Sequence, residues 1–427
     1  MPLTPVSDSE FARWLGGLGP FEPAPHLAAA VSGGADSMAV SWLASRWAQA
    51  RGGRLTALIV DHGLRAASAE EAALAASRLG ALGIACEVIL LADLRPGPAL
   101  AERARRARYA ALLAACARRG VVHLLLGHHA GDQAETVAMR AAAGSGPHGL
   151  AGMAALVETE AARLLRPVLH LPTGRLRATL RAAGLGWSED PSNRDTAALR
   201  VRVRMARGDP DGSGPATCAA VRQAAECGGA RARDERAIAD CLAARAMIHP
   251  LGFAVLQGGP IRPDALAALL RMVSGAAYPP SSRQVARVAA TLMPSTLAGV
   301  RLLPAGRLGR PGDVLVVREA AAAGPAVPAV NGALWDGRFR LTTDDAAIVG
   351  ATIGALGREA DIVPRAMRRG VPAAVLHGLP ALRRAGRLVA VPALAFPSAA
   401  ACAGWRFGWV PAVPASAGTF LALPTLA

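Results

Sequence analysis

VSGGADSMAV, residues 31–40, joins the apolar run HLAAAV to a helix-period segment through two glycines, an aspartate and two serines. A strand that enters a helix through glycines leaves several backbone N–H groups free at the helix N-terminus, where the macrodipole also favours an anion. The Ser32 and Ser37 hydroxyls add donors, and Asp36 can hold a cation against phosphate oxygens. A lysine-dependent Walker A loop is excluded, because the chain contains no lysine and all 47 Lys+Arg positions are arginine. The G-x-G-x-x-G dinucleotide fingerprint is absent as well. The bland alternative is a tight turn that does nothing more than start a helix.

Outward from this turn, residues 27–170 alternate short apolar runs with longer helical patterns. HLAAAV precedes a helix over 37–50, LTALIV one over 68–82, IACEVILL one over 100–119, and VVHLLLG one over 131–143. Apolar runs of five to eight residues without polar alternation suit strands buried on both faces. The expected fold is α/β, a doubly wound parallel sheet, whose ligands gather at the carboxyl ends of the strands. MARGDPDGSGPATC, near 205–218, reads as a breaker-rich boundary. The expected organisation is a catalytic domain over 1–207 and a small helical domain over 216–298. A mixed, mostly β C-terminal domain over 299–427 completes it, with AAAGPAVPAV as a linker after a pair of strands.

Net charge is +16, carried on guanidinium groups that match phosphate oxygens bidentately, which points to a polyanionic partner. An Ala- and Arg-rich composition can also reflect base composition of the genome. The six cysteines (Cys86, Cys116, Cys218, Cys227, Cys241, Cys402) form no CxxC pair, which argues against a zinc ribbon or an iron–sulfur cluster and for a reducing compartment. The N-terminal Ser7-x-x-Glu10 reads as a capping box that opens a helix, not as a signal peptide. Apolar stretches near the C-terminus are interrupted by proline, so no membrane span is expected.

Three further clusters can carry chemistry. Asp61-His62 ends the run LTALIV and can reach the same crevice, or can simply cap a turn. His128-His129-x-x-Asp132-x-x-Glu135 puts two carboxylates one turn apart on a helix face, able to attract magnesium or an ammonium group. Zinc is a rival there, although H-E-x-x-H is missing. AERARRAR aligns Arg105 and Arg108 on a helix face, either as phosphate contacts or as a solvated surface with internal ion pairs to Glu102.

SGGADS resembles the pyrophosphate-binding loop of the PP-loop ATP pyrophosphatases. DHGLR (61–65), ERARRARY (102–109), GHHAGDQAET (127–136), RPVL (166–169) and WSEDPSNRD (187–195) follow it in the order found in the tRNA(Ile)-lysidine synthetases, over roughly residues 27–205. The resemblance implies a PP-loop, Rossmann-like ATP-pyrophosphatase domain and ligation of free L-lysine to the wobble cytidine of tRNA(Ile) with a CAU anticodon. It implies a cytoplasmic enzyme with ATP as co-substrate and Mg2+ as cofactor. Ser32, Gly33, Gly34, Ala35, Asp36, Ser37, Asp61 and His62 are expected at the ATP, with Asp36, Asp132 and Glu135 catalytic. Asp36 and Asp132 are expected at the metal. Arg105, Arg108, Arg200 and Arg204 are expected at tRNA or phosphate.

Two positions depart from the family pattern. Gly131 stands where an acidic residue is common, and Val201 where an asparagine is expected, so Arg200 and Arg204 could equally sit on a β edge or a structural helix face. Two other PP-loop classes are the enzymatic rivals. A tRNA cytidine thiolase would need CxxC pairs, and a GMP-synthetase-like ligase would not need the arginine excess. A silent RNA-binding module is the non-enzymatic rival. Helices in 216–298 leave monomer and homodimer both open.

Overall fold

The computed structural model describes residues 3–427 except 64–67, 92–93, 95–96, 190–198, 344–348, 412, 417–419 and 422–427. The expectations for Arg65 and for Asp190–Asp195 lie outside the described residues. The chain divides into two compact units, one comprising 1–233 with 418–427 and the other 234–417.

The first unit opens with α1 (Asp8–Gly16), capped by Ser7 and Glu10 in a complete capping box. Then β1 (His26–Val31), α2 (Ala35–Gln49), β2 (Arg54–Asp61), α3 (Ser68–Gly80), β3 (Ala85–Leu90), α4 (Leu100–Arg119) and β4 (His123–Leu125) alternate. They are followed by α5 (Ala130–Ala142), α6 (Pro147–Leu150), β5 (Leu156–Glu158), β6 (Arg163–Leu165), α7 (Thr173–Ala182), α8 (Leu199–Arg207) and α9 (Pro215–Arg245), within which the division between units falls. The sheet order is β3-β2-β1-β4-β6-β5. β1 pairs in parallel with β2 and β4, β2 with β3, and β4 with β6, while β5 is antiparallel to β6.

The unbroken apolar character of β1 has a direct cause. Leu27, Ala29 and Val31 join the core under α1, α2 and α7, while Ala28 and Ala30 join the core under α4 with Leu112, Ala115 and Cys116. Both faces are covered, so neither can alternate with polar residues. β2 and β4 flank β1 on opposite sides, so the connections reverse there and open a crevice beyond the carboxyl ends of β1 and β4. Gly127 lets these ends close up, since a Cβ on it would lie 2.9 Å from the Ser37 amide nitrogen.

The stretch expected as the first domain boundary is part of this unit. Asp209 accepts from the Ser213 and Gly214 amides at 3.2 and 2.9 Å, which ties the turn together, and Gly174 donates its amide to the Asp211 carbonyl at 3.1 Å. Breaker residues here build a clasped turn instead of a linker.

In the second unit, the expectation of a strandless helical segment over 216–298 is corrected. β7 (Ala246–His249), β8 (Phe253–Leu256), α10 (Pro263–Ser274), α11 (Ser282–Ala289), β9 (Ser295–Leu297), β10 (Val300–Pro304) and β11 (Val314–Arg318) form one antiparallel sheet with two helices, in the order β7-β8-β11-β10-β9. The sheet runs through residue 298 because its short strands pair with the expected pair β10 and β11. β12 (Val327–Pro328), β13 (Leu334–Trp335), β14 (Phe339–Thr343), β15 (Ala351–Ala355), α12 (Ala373–Leu376), β16 (Pro380–Arg384), β17 (Arg387–Ala390) and β18 (Trp405–Trp409) build two smaller antiparallel sheets. The second of these sheets centres on buried Trp335, Phe339 and Leu341. The mixed, mostly β character expected of the C-terminal residues holds, although the small-residue linker includes strand β12.

Candidate active site

A cleft of about 1110 Å³ opens at the switch point between β1 and β4. Ser32, Gly34, Ala35, Asp36 and Ser37 form one wall. Gly33 takes a φ of +81°, the left-handed conformation that a glycine adopts without strain, and its carbonyl accepts from the Ser188 amide at 2.9 Å. Gly34 is the N-cap of α2 and no side chain caps that helix, so the amides of its first turn remain available to an anion. Ser37 Oγ instead donates to the Gly34 carbonyl at 3.0 Å and accepts from the Ser32 amide at 3.2 Å, which closes the turn into a ring.

Asp36 projects from the first turn of α2. Thr173, the first residue of α7, donates its hydroxyl to Asp36 Oδ1. His129 Nε2 lies 3.6 Å from Asp36 Oδ2 and 3.5 Å from Asp132 Oδ2. His129 is also the N-cap of α5: its Nδ1 accepts from the Gly131 amide at 3.1 Å, and Asp132 returns the bond by accepting from the His129 amide at 3.1 Å. Because Nδ1 accepts, the ring proton is assigned to Nε2, between the two carboxylates. Gly131 has room for this ring where a Cβ would not, since one built there would lie 2.8 Å from His129 Cε1.

The acidic pair carries two arginines. Glu135, almost fully buried, accepts from Arg200 Nε and Arg204 Nε, both at 2.6 Å, and Asp132 Oδ1 accepts from Arg200 Nη2 at 2.8 Å. Burial alone would raise the Asp132 carboxyl, but the adjoining His129 ring, the Arg200 guanidinium and the hydrogen bond from the His129 amide outweigh it and hold the group at about 2. His128 is pushed down to about 3, chiefly by burial, and is neutral near pH 7; its Nδ1 accepts from Arg166 Nε at 3.2 Å. Arg200 and Arg204 therefore lie on a helix, α8, and not on a β edge. The buried side chain of Val201 is apolar where an asparagine was expected.

Arg105 and Arg108 line the cleft from α4, with the Arg105 guanidinium 5.1 Å from the centre of the Tyr109 ring. His62 lines it from the end of β2. Asp61 does not: it is buried and accepts from the Gly63 amide at 2.9 Å, the capped-turn role weighed for it from sequence. Thr173 and the turn at 208–212 also border the cleft; the turn was read from sequence only as a breaker-rich boundary, and Thr173 carried no signal, since threonine after proline at a helix start is ordinary capping chemistry.

A magnesium ion usually keeps most of its waters and takes one or two carboxylates plus phosphate oxygens. Asp36 fits that donor set, with one oxygen engaged by Thr173 and the side chain partly exposed beside the phosphate-binding turn. Asp132 fits it less well, because both of its oxygens already accept hydrogen bonds. Among the described residues no group of three or more His, Cys, Asp or Glu side chains could hold a metal without such phosphates.

A PP-loop domain family model matches residues 8–207. The tRNA(Ile)-lysidine synthase of Bradyrhizobium diazoefficiens is 46% identical over 42% of this chain, a match that spans only 51% of that protein. The tRNA(Ile)-lysidine synthase of Ruegeria pomeroyi is 34% identical over 87% of this chain and 89% of its own length. That of Ralstonia nicotianae is 35% identical over 91% of this chain and 93% of its own.

Proposed function

Because this chain belongs to the tRNA(Ile)-lysidine synthase family, we propose that it joins free L-lysine to C2 of the wobble cytidine of a CAU-anticodon tRNA(Ile). The observation that carries the reading is the single cleft that holds both the glycine turn and the Asp132–Glu135 pair. In the first step the cytidine O2 attacks the α-phosphorus of ATP, the bond between the α- and β-phosphates breaks, and pyrophosphate leaves. The free amides of α2, with the Ser32 and Ser37 hydroxyls, take the leaving pyrophosphate. Magnesium, when bound at Asp36, supplies charge neutralisation on those phosphates. In the second step the lysine ε-amine, its surplus protons passing to solvent water, attacks C2, and the C2–O2 bond breaks as AMP departs with that oxygen.

Asp132 and Glu135 are assigned to holding the substrate ammonium. A carboxylate held at about 2 is a poor base for an amine, so proton removal is not assigned to Asp132. Arg200 and Arg204 pair with these acids, and both guanidiniums are half-buried at the cleft wall, where they can also meet phosphate oxygens. Arg105 and Arg108 supply further positive charge for ATP or for the anticodon backbone. The cytosine must leave its stack to enter the cleft, and that cost is offset by backbone contacts elsewhere on the tRNA. ATP, tRNA and free lysine meet in the cytoplasm, where we place the reaction.

The test is incorporation of radiolabelled lysine into CAU-anticodon tRNA(Ile), with ATP and Mg2+, by wild type and by Asp36→Ala. Label with wild type alone is expected. Wild-type cleavage of ATP to AMP without label would overturn the choice of nucleophile, and label with Asp36→Ala would overturn the role of the turn.

A further inference from the structure

Asp36 is gripped from a helix other than its own, by a residue that no part of the proposed chemistry uses. We propose that Thr173 is a positioning residue that fixes Asp36 Oδ1 and so leaves Oδ2 for a magnesium ion that would accompany the phosphates; this rests on the reading of the cleft as an ATP site.

Thr173 is 4% exposed and lies 137 residues from Asp36 in the chain, so only the fold makes the pair. As the first residue of α7 it has no preceding helical turn whose carbonyl could compete for its hydroxyl proton. That proton goes to Asp36 Oδ1. An aspartate in an uncapped first helical turn otherwise samples several rotamers, and a ligand that needs one of them must restrict the others on binding. With Oδ1 held, the oxygen left for a ligand is Oδ2, on whose other side stands His129 Nε2 at 3.6 Å.

The start of α7 is itself immobilised. Gly174 donates its amide to the Asp211 carbonyl at 3.1 Å, in the turn that Asp209 ties together. A Cβ on Gly212 would lie 3.5 Å from the Thr173 nitrogen and 3.6 Å from the Gly131 nitrogen, so this turn packs against the starts of both α7 and α5. The clasped turn, Thr173 and His129 together brace Asp36 from two helices other than its own.

The test is calorimetric titration of the full-length chain with ATP, in Mg2+ and in EDTA, without tRNA or lysine. Thr173→Val is expected to weaken ATP binding about tenfold in Mg2+, the scale of one hydrogen bond to a charged group. Affinity in EDTA is expected to stay unchanged, and Thr173→Ser to restore the wild-type value in Mg2+. Equal affinity of wild type and Thr173→Val in Mg2+ would overturn the inference. So would equal losses in Mg2+ and EDTA, which would mark Thr173 as merely structural. Thermal midpoints identify a variant that fails to fold, and Thr173→Ala, which leaves space instead of apolar contact, then replaces Thr173→Val under the same criteria. If wild type binds no ATP, the ATP reading fails and this inference with it; if wild type binds and the variants match it, only the inference fails.

Discussion

Asp132 performs two duties at once, and its ionisation exposes the cost of losing either. It caps α5 through the His129 amide and it neutralises Arg200. An aspartate held at about 2 against an ordinary value of 3.8 stabilises the folded state by about 2 kcal/mol. The folded value is depressed, so this contribution is present in full above about pH 4 and is lost as pH falls through about 2. Asp132→Asn should therefore lower the unfolding free energy by about 2 kcal/mol at pH 7, with the gap closing toward pH 2. Urea denaturation at several pH values measures it, and a gap independent of pH would contradict the assignment. From sequence the carboxylates at 132 and 135 were legible as a pair on one helix face. Their occupation by Arg200 and Arg204 was not, because 65 or more residues separate the partners and nothing local records the approach.

At the scale of elements, helix and strand placement followed closely from local pattern. The expected helix over 100–119 is α4, and the expected runs at 26–31 and 55–60 are β1 and most of β2. What local pattern missed were short strands such as β7 and β8, whose few residues carry too little periodicity to be told from helix edges. The meeting of β4 with α2 is a second element-level feature invisible in sequence. Gly127→Ala should force these elements apart, because the added carbon would lie 2.9 Å from the Ser37 nitrogen and 3.0 Å from the Asp36 carbonyl carbon. A loss of about 1–3 kcal/mol in stability is expected, together with weaker ATP binding, since the turn at 32–37 must move. Thermal melts and ATP titration of the same variant check both effects, and Gly127→Ala with wild-type ATP affinity would show that the turn tolerates the displacement.

For the whole molecule the governing quantity is the net charge of +16, carried without a single lysine. Charge of this kind acts through released counterions, so the KM for tRNA should rise steeply between about 50 and 200 mM salt while the KM for lysine changes little. Steady-state kinetics at several salt concentrations measure it, and a flat tRNA response would argue that charge reflects composition alone. Composition, apolar runs and ordered motifs were enough to read a doubly wound sheet, a glycine turn between its strand and helix and a pair of carboxylates on one helix face, since each rests on a pattern legible within a short stretch of chain. Only the tertiary structure decided that Asp61 caps its own turn, that the stretch after Met205 packs as a clasp, that one sheet runs through residue 298, and that Thr173 grips Asp36. The Thr173–Asp36 bond and the sheet pairing join distant parts of the chain, while the Asp61 and Asp209 turns are local choices between roles the sequence left open, settled by which polar groups must find partners once water is excluded.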